Sequence, residues 1–319
     1  MYIEQAYKSL HEFWRYVIGV IISIIGVGVF SMPHAIAIAM KSLSGGVDES
    51  QLEDLSYIMN LFDSNLNLVF MLLPFLGGLL FLLFSTKVIH QQTFTALTTA
   101  REKVDWGRVF FAFAFWGIVS STLIAIGYFM EPETFELNFQ LEPFLILCVI
   151  ALLLIPIQTS FEEYLFRGYL MQGIGVLVKN KWFPLVITSV VFGLMHLANP
   201  EVEQLGPVIM VYYIGTGLFL AIITLMDEGL ELALGFHAAN NLFTALLVTA
   251  DWTAFQTYSV FKDTSSPTEA GFFDIFMPVF VIFPLLILIF AKKYKWNNWK
   301  DKLFGKVEPP LPDDYKILD

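Results

Sequence analysis

Residues 143–168 read PFLILCVIALLLIPIQTSFEEYLFRG. An uncharged apolar run, interrupted only by Pro156 and ended by Gln158, leads straight into two carboxylates and an arginine. A run of this kind is close to the roughly 20 residues that cross a hydrocarbon core. Charges at its end are costly in lipid, so they mark either the membrane surface or a working site.

The rest of the chain has the same character. Of its 319 residues, 56% are apolar and 15% charged, and 32 are phenylalanine. Soluble domains run at about 45–50% apolar and about 25% charged. Mean hydropathy is +0.67. Eight apolar segments stand out, at 16–39, 66–84, 109–130, 143–158, 183–198, 207–226, 230–250 and 272–291. Only helices or closed barrels satisfy their backbone in lipid, and these runs are too long and too continuously apolar for barrel strands. The expected fold is therefore all-α: one polytopic bundle of about eight transmembrane helices over 1–319. A polar, proline-containing end at 305–319 reads as a flexible cytoplasmic tail. The net charge of −11 excludes a general nucleic-acid binder. The single cysteine, Cys148, excludes an internal disulfide and a cysteine-rich metal site.

The loops give an orientation. With the N-terminus in the cytoplasm, the inner segments hold Lys8, Arg15, Lys87, Arg101, Lys103, Arg108, Lys179, Lys181 and every lysine after residue 291, which is 15 of the 18 basic residues. The outer loops hold Lys41 and Lys262 alone and are acidic instead. This split follows the positive-inside rule and predicts an even number of spans with both ends cytoplasmic. The string Ala35-Ile36-Ala37 looks like a signal cleavage site, but the apolar run is longer than a signal core and the residues before it are weakly basic. The first span is expected to be retained.

Three motifs carry polar chemistry on apolar helices, and all lie in the second half. In Glu162-Glu163-Tyr164-Leu165-Phe166-Arg167, Glu163 and Arg167 are four apart and share a helix face. Glu162 lies about 100° away. The spacing makes Glu163 a structural partner of Arg167 and leaves Glu162 available. A helix end with charges reaching for water is the bland reading of this motif. His196 comes late in the fifth segment, where a lone histidine is often a packing residue, and Asn199 could share its face. His237 and Asn241 project from one face of the seventh segment. Asn240 fits nearly as well, and polar glue between helices is the bland reading there. Together a Glu, two His and an Asn supply what activating water against a carbonyl needs. They also match a His/His/carboxylate zinc set.

These residues resemble the CAAX protease and bacteriocin-processing enzyme family of intramembrane proteases, also called CPBP or Abi. The family pattern is Glu-Glu-x-x-x-Arg, then Phe-x-x-x-His, then His-x-x-x-Asn. It stands here as Glu162-Glu163-x-x-x-Arg167, Phe192-x-x-x-His196 and His237-x-x-x-Asn241. The Gly215-Thr216-Gly217 stretch also fits, and the resemblance covers 158–246. It implies peptide-bond hydrolysis in or next to the membrane, in eukaryotic members on prenylated protein tails. By the same resemblance Glu162 is the general base, His196 positions the water, and His237 and Asn241 stabilise the oxyanion. Glu163 and Arg167 hold the Glu-bearing helix. The expected partners are membrane lipids and a peptide or protein substrate, lipidated or not. The expected location is a bacterial plasma membrane.

No cofactor is required by this reading. The alternative is a divalent metal, zinc, on Glu162, His196 and His237, and the metal-independent glutamate mechanism is favoured. A non-catalytic immunity or scaffold protein retaining the fold is the second reading, and a transporter the third. Helix rise puts His196 deep in the membrane but Glu162 near its surface if the fourth span ends at Gln158. A shared site therefore predicts either a helix kinked at Pro156 or 159–178 sunk in the inner leaflet as part of a long tilted helix. Water must reach the site, so a polar cavity open toward the cytoplasm is expected.

Overall fold

The computed structural model describes residues 1–51, 55–266 and 272–309. Among them the chain is a helix bundle with one small sheet. Its principal helices are α1 (Phe13–Leu43), α2 (Ser64–Val88), α3 (Trp106–Met130), α4 (Leu141–Glu163), α5 (Met171–Val178), α6 (Trp182–Leu194), α7 (Pro200–Leu205), α8 (Met210–Asp227), α9 (Glu231–Leu247) and α10 (Phe283–Tyr294). Six helical stretches are long and apolar enough to cross a membrane. Helices also cover the 183–198 and 230–250 segments, but at 13 and 17 residues they are shorter than a full span. The multi-span helical membrane bundle thus holds, with six long spans.

The fourth segment does not stop at Gln158. Helix continues from Leu141 to Val178 through a π-helical turn at Tyr164–Leu170. Tyr164, Phe166, Arg167, Gly168 and Tyr169 are all buried. The stretch from Thr159 to Gly175 is therefore largely inside the bundle, as a site of shared depth requires.

The fifth segment departs in the other direction. α6 ends at Leu194, and 195–199 is a run of turns. Pro200 starts a new helix and pushes Asn199 into extended backbone (φ −71°, ψ 145°), as a following proline does. At the end of α9 the chain leaves helix for strand β2 (Val248–Thr249). This strand pairs in parallel with β3 (Phe261–Asp263), which pairs antiparallel with β1 (Phe135–Leu137).

The two ends of the bundle differ. At one end the N-terminal segment meets the loops between spans: Tyr2 Oη donates to Leu97 O at 2.7 Å, and the Leu230 amide to Thr98 O at 2.8 Å. A network of charges locks this end. Arg101 reaches Asp227 at 2.9 Å and Glu231 at 3.1 Å, Arg108 also binds Asp227, and Trp296 Nε1 donates to Asp227 at 3.0 Å. Val307 is buried, and its amide donates to Lys179 O at 3.1 Å. A loose tail beginning at residue 305 therefore does not describe these residues, and 310–319 lie outside the described ones. At the opposite end stand the small sheet and the contact of Tyr258 with Asp63 at 2.8 Å.

Between the ends, apolar cores join the helices. Leu82, Leu97, Tyr164, Leu225 and Leu230 pack in one, and Trp116, Phe219, Phe236 and Phe283 in another. Large apolar side chains on the outer faces are exposed, among them Ile24, Phe110, Ile118 and Leu153. That is what a surface bathed in lipid looks like.

α9 crosses α3 closely at Gly235, where a Cβ would lie 2.1 Å from the Val109 carbonyl oxygen. Only a residue without Cβ allows this approach, two positions before His237. Gly235→Ala is expected to destabilise the bundle by about 1–3 kcal/mol, read as a shift in reversible unfolding in mixed detergent micelles. Unchanged unfolding would show that the crossing tolerates a methyl group.

Candidate active site

α4 and α9 bring their polar residues together in the middle of the bundle. Gln158 and Glu162 form one i,i+4 row on α4, while Glu163 and Arg167 form the next row across the start of the π-helical turn. Such turns recur at functional sites. Glu163 and Arg167 are wholly buried and pair at 2.9 Å. Arg167 also donates to the Gly217 carbonyl at 3.2 Å and lies 4.2 Å over the Phe192 ring. A Cβ at Gly217 would fall 2.7 Å from Ser189 O, so the bare backbone lets α8 sit against α6 and present that carbonyl.

Glu163 Oε1 is also 2.8 Å from His237 Nδ1. An oxygen already accepting from a guanidinium accepts here too, so Nδ1 carries the proton. Glu163 thus fixes both the arginine and the imidazole. His237 Nε2 is turned toward Glu162, 3.4 Å from Oε2.

Glu162 is placed differently. Its Oε1 accepts from Gln158 Nε2 at 2.9 Å, and its buried Oε2 has no hydrogen-bond partner. Gln158 Oε1 in turn accepts from Asn241 at 3.1 Å. Asn240 Nδ2 donates to Asn241 Oδ1 at 3.1 Å, and Asn240 Oδ1 accepts from Trp116 at 3.1 Å. The two asparagines are thus both used, Asn241 toward the carboxylate and Asn240 behind it.

Glu162, Glu163, Arg167, His237 and Asn241 therefore form one connected set. His196 stands beside it without a hydrogen bond to any member. Its Nδ1 is 2.8 Å from Phe192 O, and its ring stacks on Tyr213 at 4.3 Å. It contacts the set through Phe192, whose ring centroid lies 4.9 Å from that of His196 and 6.0 Å from that of His237. Asn199 donates to the Tyr213 hydroxyl at 3.4 Å. Gln158, Trp116 and Tyr213 are additions to the expected set. Gln158 was discoverable, four residues before Glu162 on one helix. Trp116 and Tyr213 come from other helices, and no spacing pointed to them.

Among the described residues, no group of three or more His, Cys, Asp or Glu is arranged to hold a metal ion. Nδ1 of His196 and Nδ1 of His237 are each engaged by an oxygen, which leaves Nε2 as the ring nitrogen available to a ligand.

Glu162, His196, Asn199 and Asn241 face a cavity of about 860 Å³. Its walls are largely apolar, with Val20, Ile24 and Val27 of α1, Met71 and Phe75 of α2, and Phe192 and Met195. It extends toward the sheet end of the bundle, where Trp252, Thr253, Ala254 and Phe255 line it. The end that holds the termini is filled below the carboxylates by Arg167, Tyr164 and Leu97. A polar pocket of about 370 Å³ does open at the end that holds the termini, lined by Arg101, Arg108, Asp227 and Trp296, but Glu162 and His196 line the other cavity, so the expected cytoplasmic opening does not reach the site among the described residues.

A model of the Type II CAAX prenyl endopeptidase Rce1-like family matches residues 141–243. That range holds all seven motif residues. The chain is also similar to YyaK, an uncharacterized protein of Bacillus subtilis (strain 168). The two are 31% identical over 214 residues, covering 66% of this chain and 71% of the relative. No solved structure matches the chain.

Proposed function

This chain belongs to the Rce1-like CAAX-protease family of helical membrane proteins, and on that footing we propose that it hydrolyses a peptide bond within the bundle through a water activated by Glu162. The observation that carries the reading is the division of labour between the adjacent carboxylates. Glu163 takes both Arg167 and His237 on Oε1, is wholly buried and does not line the cavity, while Glu162 lines it with an Oε2 that accepts no hydrogen bond and lies 3.4 Å from His237 Nε2.

In the proposed reaction a water molecule gives a proton to Glu162 as its oxygen bonds to the scissile carbonyl carbon. The carbonyl oxygen becomes an oxyanion, stabilised by His237 Nε2 in its protonated form and by the Asn241 amide. Fixed donors of this kind act where charge develops and are already oriented by the fold. The C–N bond then breaks, and the proton held by Glu162 goes to the departing nitrogen. Glu163 and Arg167 hold the imidazole in register without touching substrate. His196, on its Tyr213 stack, borders the space the water would occupy.

We favour this route over a zinc set of Glu162, His196 and His237 because those side chains are not grouped as metal ligands among the described residues. Chelation by EDTA or 1,10-phenanthroline is accordingly expected to leave cleavage unchanged. Loss of cleavage, restored by added zinc, would replace the glutamate mechanism with a metal one. Family membership implies a lipidated protein substrate processed at the membrane. The founding experiment compares new peptide termini, by mass spectrometry, in membranes containing wild-type protein and Glu162→Gln at equal levels. Termini present only with wild type support the peptidase. Identical termini, with a phenotype still rescued by the variant, would make the protein a non-catalytic partner.

A further inference from the structure

The cavity offers chemistry that the catalytic set does not use. Besides Glu162, its charged lining consists of Glu201 and Asp263, with no lysine or arginine. Glu201 accepts from the Ala254 amide at 2.7 Å through Oε1, and its buried Oε2 has no hydrogen-bond partner. Burial pushes its carboxyl above the usual range, the behaviour of a carboxylate lacking a counter-charge. The nearby Lys262 is taken by Asp251 at 2.8 Å. A substrate presented by a C-terminal carboxylate would meet three carboxylates here and no cation.

The direction of access is equally specific. Below Glu162 the bundle is closed by packed core. Above it the cavity runs to the loop at 248–255, at the end remote from both termini and from most basic residues. Ile24 and Met195 line the cavity while being 62% and 69% exposed on the lipid-facing surface. The cavity thus also has a rim in the bilayer. Basic residues concentrate on the cytoplasmic side, so the mouth faces the other compartment.

We propose that the substrate is a membrane-attached peptide entering from the extracytoplasmic side, its apolar residues filling the cavity and a lysine or arginine side chain pairing with Glu201. The proposal rests on the peptidase reading above and adds sidedness and charge to it.

Two measurements test it. In a Cys148→Ser background, Asp251→Cys is expected to react with a membrane-impermeant maleimide added to intact cells, and Asn297→Cys only after permeabilisation. The reverse pattern overturns the proposal. In the terminal-peptide comparison, Glu162-dependent termini are expected in extracytoplasmic segments with a lysine or arginine close to the cut. In Glu201→Lys those termini are expected to fall about tenfold relative to termini lacking a nearby cation, the equivalent of about 1.4 kcal/mol. Glu162-dependent termini on the cytoplasmic side, or a cation preference untouched by Glu201→Lys, overturn this proposal and leave the peptidase standing. Absence of any Glu162-dependent termini overturns the peptidase reading itself.

Discussion

Glu162→Gln is expected to lower kcat by about 10²–10⁴-fold, the range general-base catalysis supplies, with stability close to wild type. The amide keeps the size of the carboxylate and can still meet Gln158 after a rotation, but it cannot take a proton from water. Glu163→Gln is expected to behave differently. It weakens the pair with Arg167 and the hold on His237 Nδ1 together, so it lowers stability and activity at once. The comparison is made with purified protein on a substrate recovered from the terminal-peptide experiment, alongside reversible unfolding. Equal kcat in Glu162→Gln and wild type would remove Glu162 as the base. Catalytic loss confined to Glu163→Gln, with unaltered folding, would exchange the two roles.

Arg167→Ala is expected to cost about 3–5 kcal/mol of stability, because it leaves a buried carboxylate without its counter-charge. Arg167 is wholly buried, contributes its Nη2 to Gly217 O, and packs against Phe192, so packing is lost as well. Glu163→Met combined with Arg167→Met removes both charges and is expected to recover much of that stability. It is also expected to stay inactive, because His237 Nδ1 loses its acceptor. Unfolding in mixed detergent micelles reads the first effect, and turnover the second. A double variant with wild-type turnover would show that Glu163 does not position the imidazole. A single variant as stable as wild type would show that the pair is solvated.

Much of the architecture was legible because lipid imposes its own pattern. Each of the eight apolar segments contains a helix, and the six long spans follow from length and composition. The errors fall where tertiary packing decides. Hydropathy alone ends the segment at 143–158, because charges follow Gln158, and only the need for a shared depth argued that the helix could run on. In the fold those charges neutralise one another, and the helix runs on to Val178 inside the protein. The segment at 183–198 looked like a full span because 195–198 is apolar, yet Asn199-Pro200 breaks it early.

The site divides in the same way. Helix periodicity alone separated Glu162 from Glu163 and paired Glu163 with Arg167, because i,i+4 geometry is local. It also put His237 and Asn241 on one face. Whether the two helices would meet was beyond it, and so was the bond from Glu163 to His237, which joins residues 74 positions apart. His196 shows the limit of a motif: its place in the sequence is clear, but in the fold it stacks on Tyr213 and packs on Phe192, sharing the cavity with Glu162 and Asn241 without a hydrogen bond to either.

The sequence by itself determined that this is a helical membrane protein, which local rows of side chains share a helix face, and which polar residues the apolar chain must shelter. The tertiary structure alone decided that Glu163 serves two partners, that Gln158 links Glu162 to Asn241, and that the cavity lies toward the end remote from the termini. The physical reason is range. Hydropathy and helix pitch act between neighbours a few residues apart, whereas the site and its opening depend on which helix faces meet and which end of the bundle the core fills.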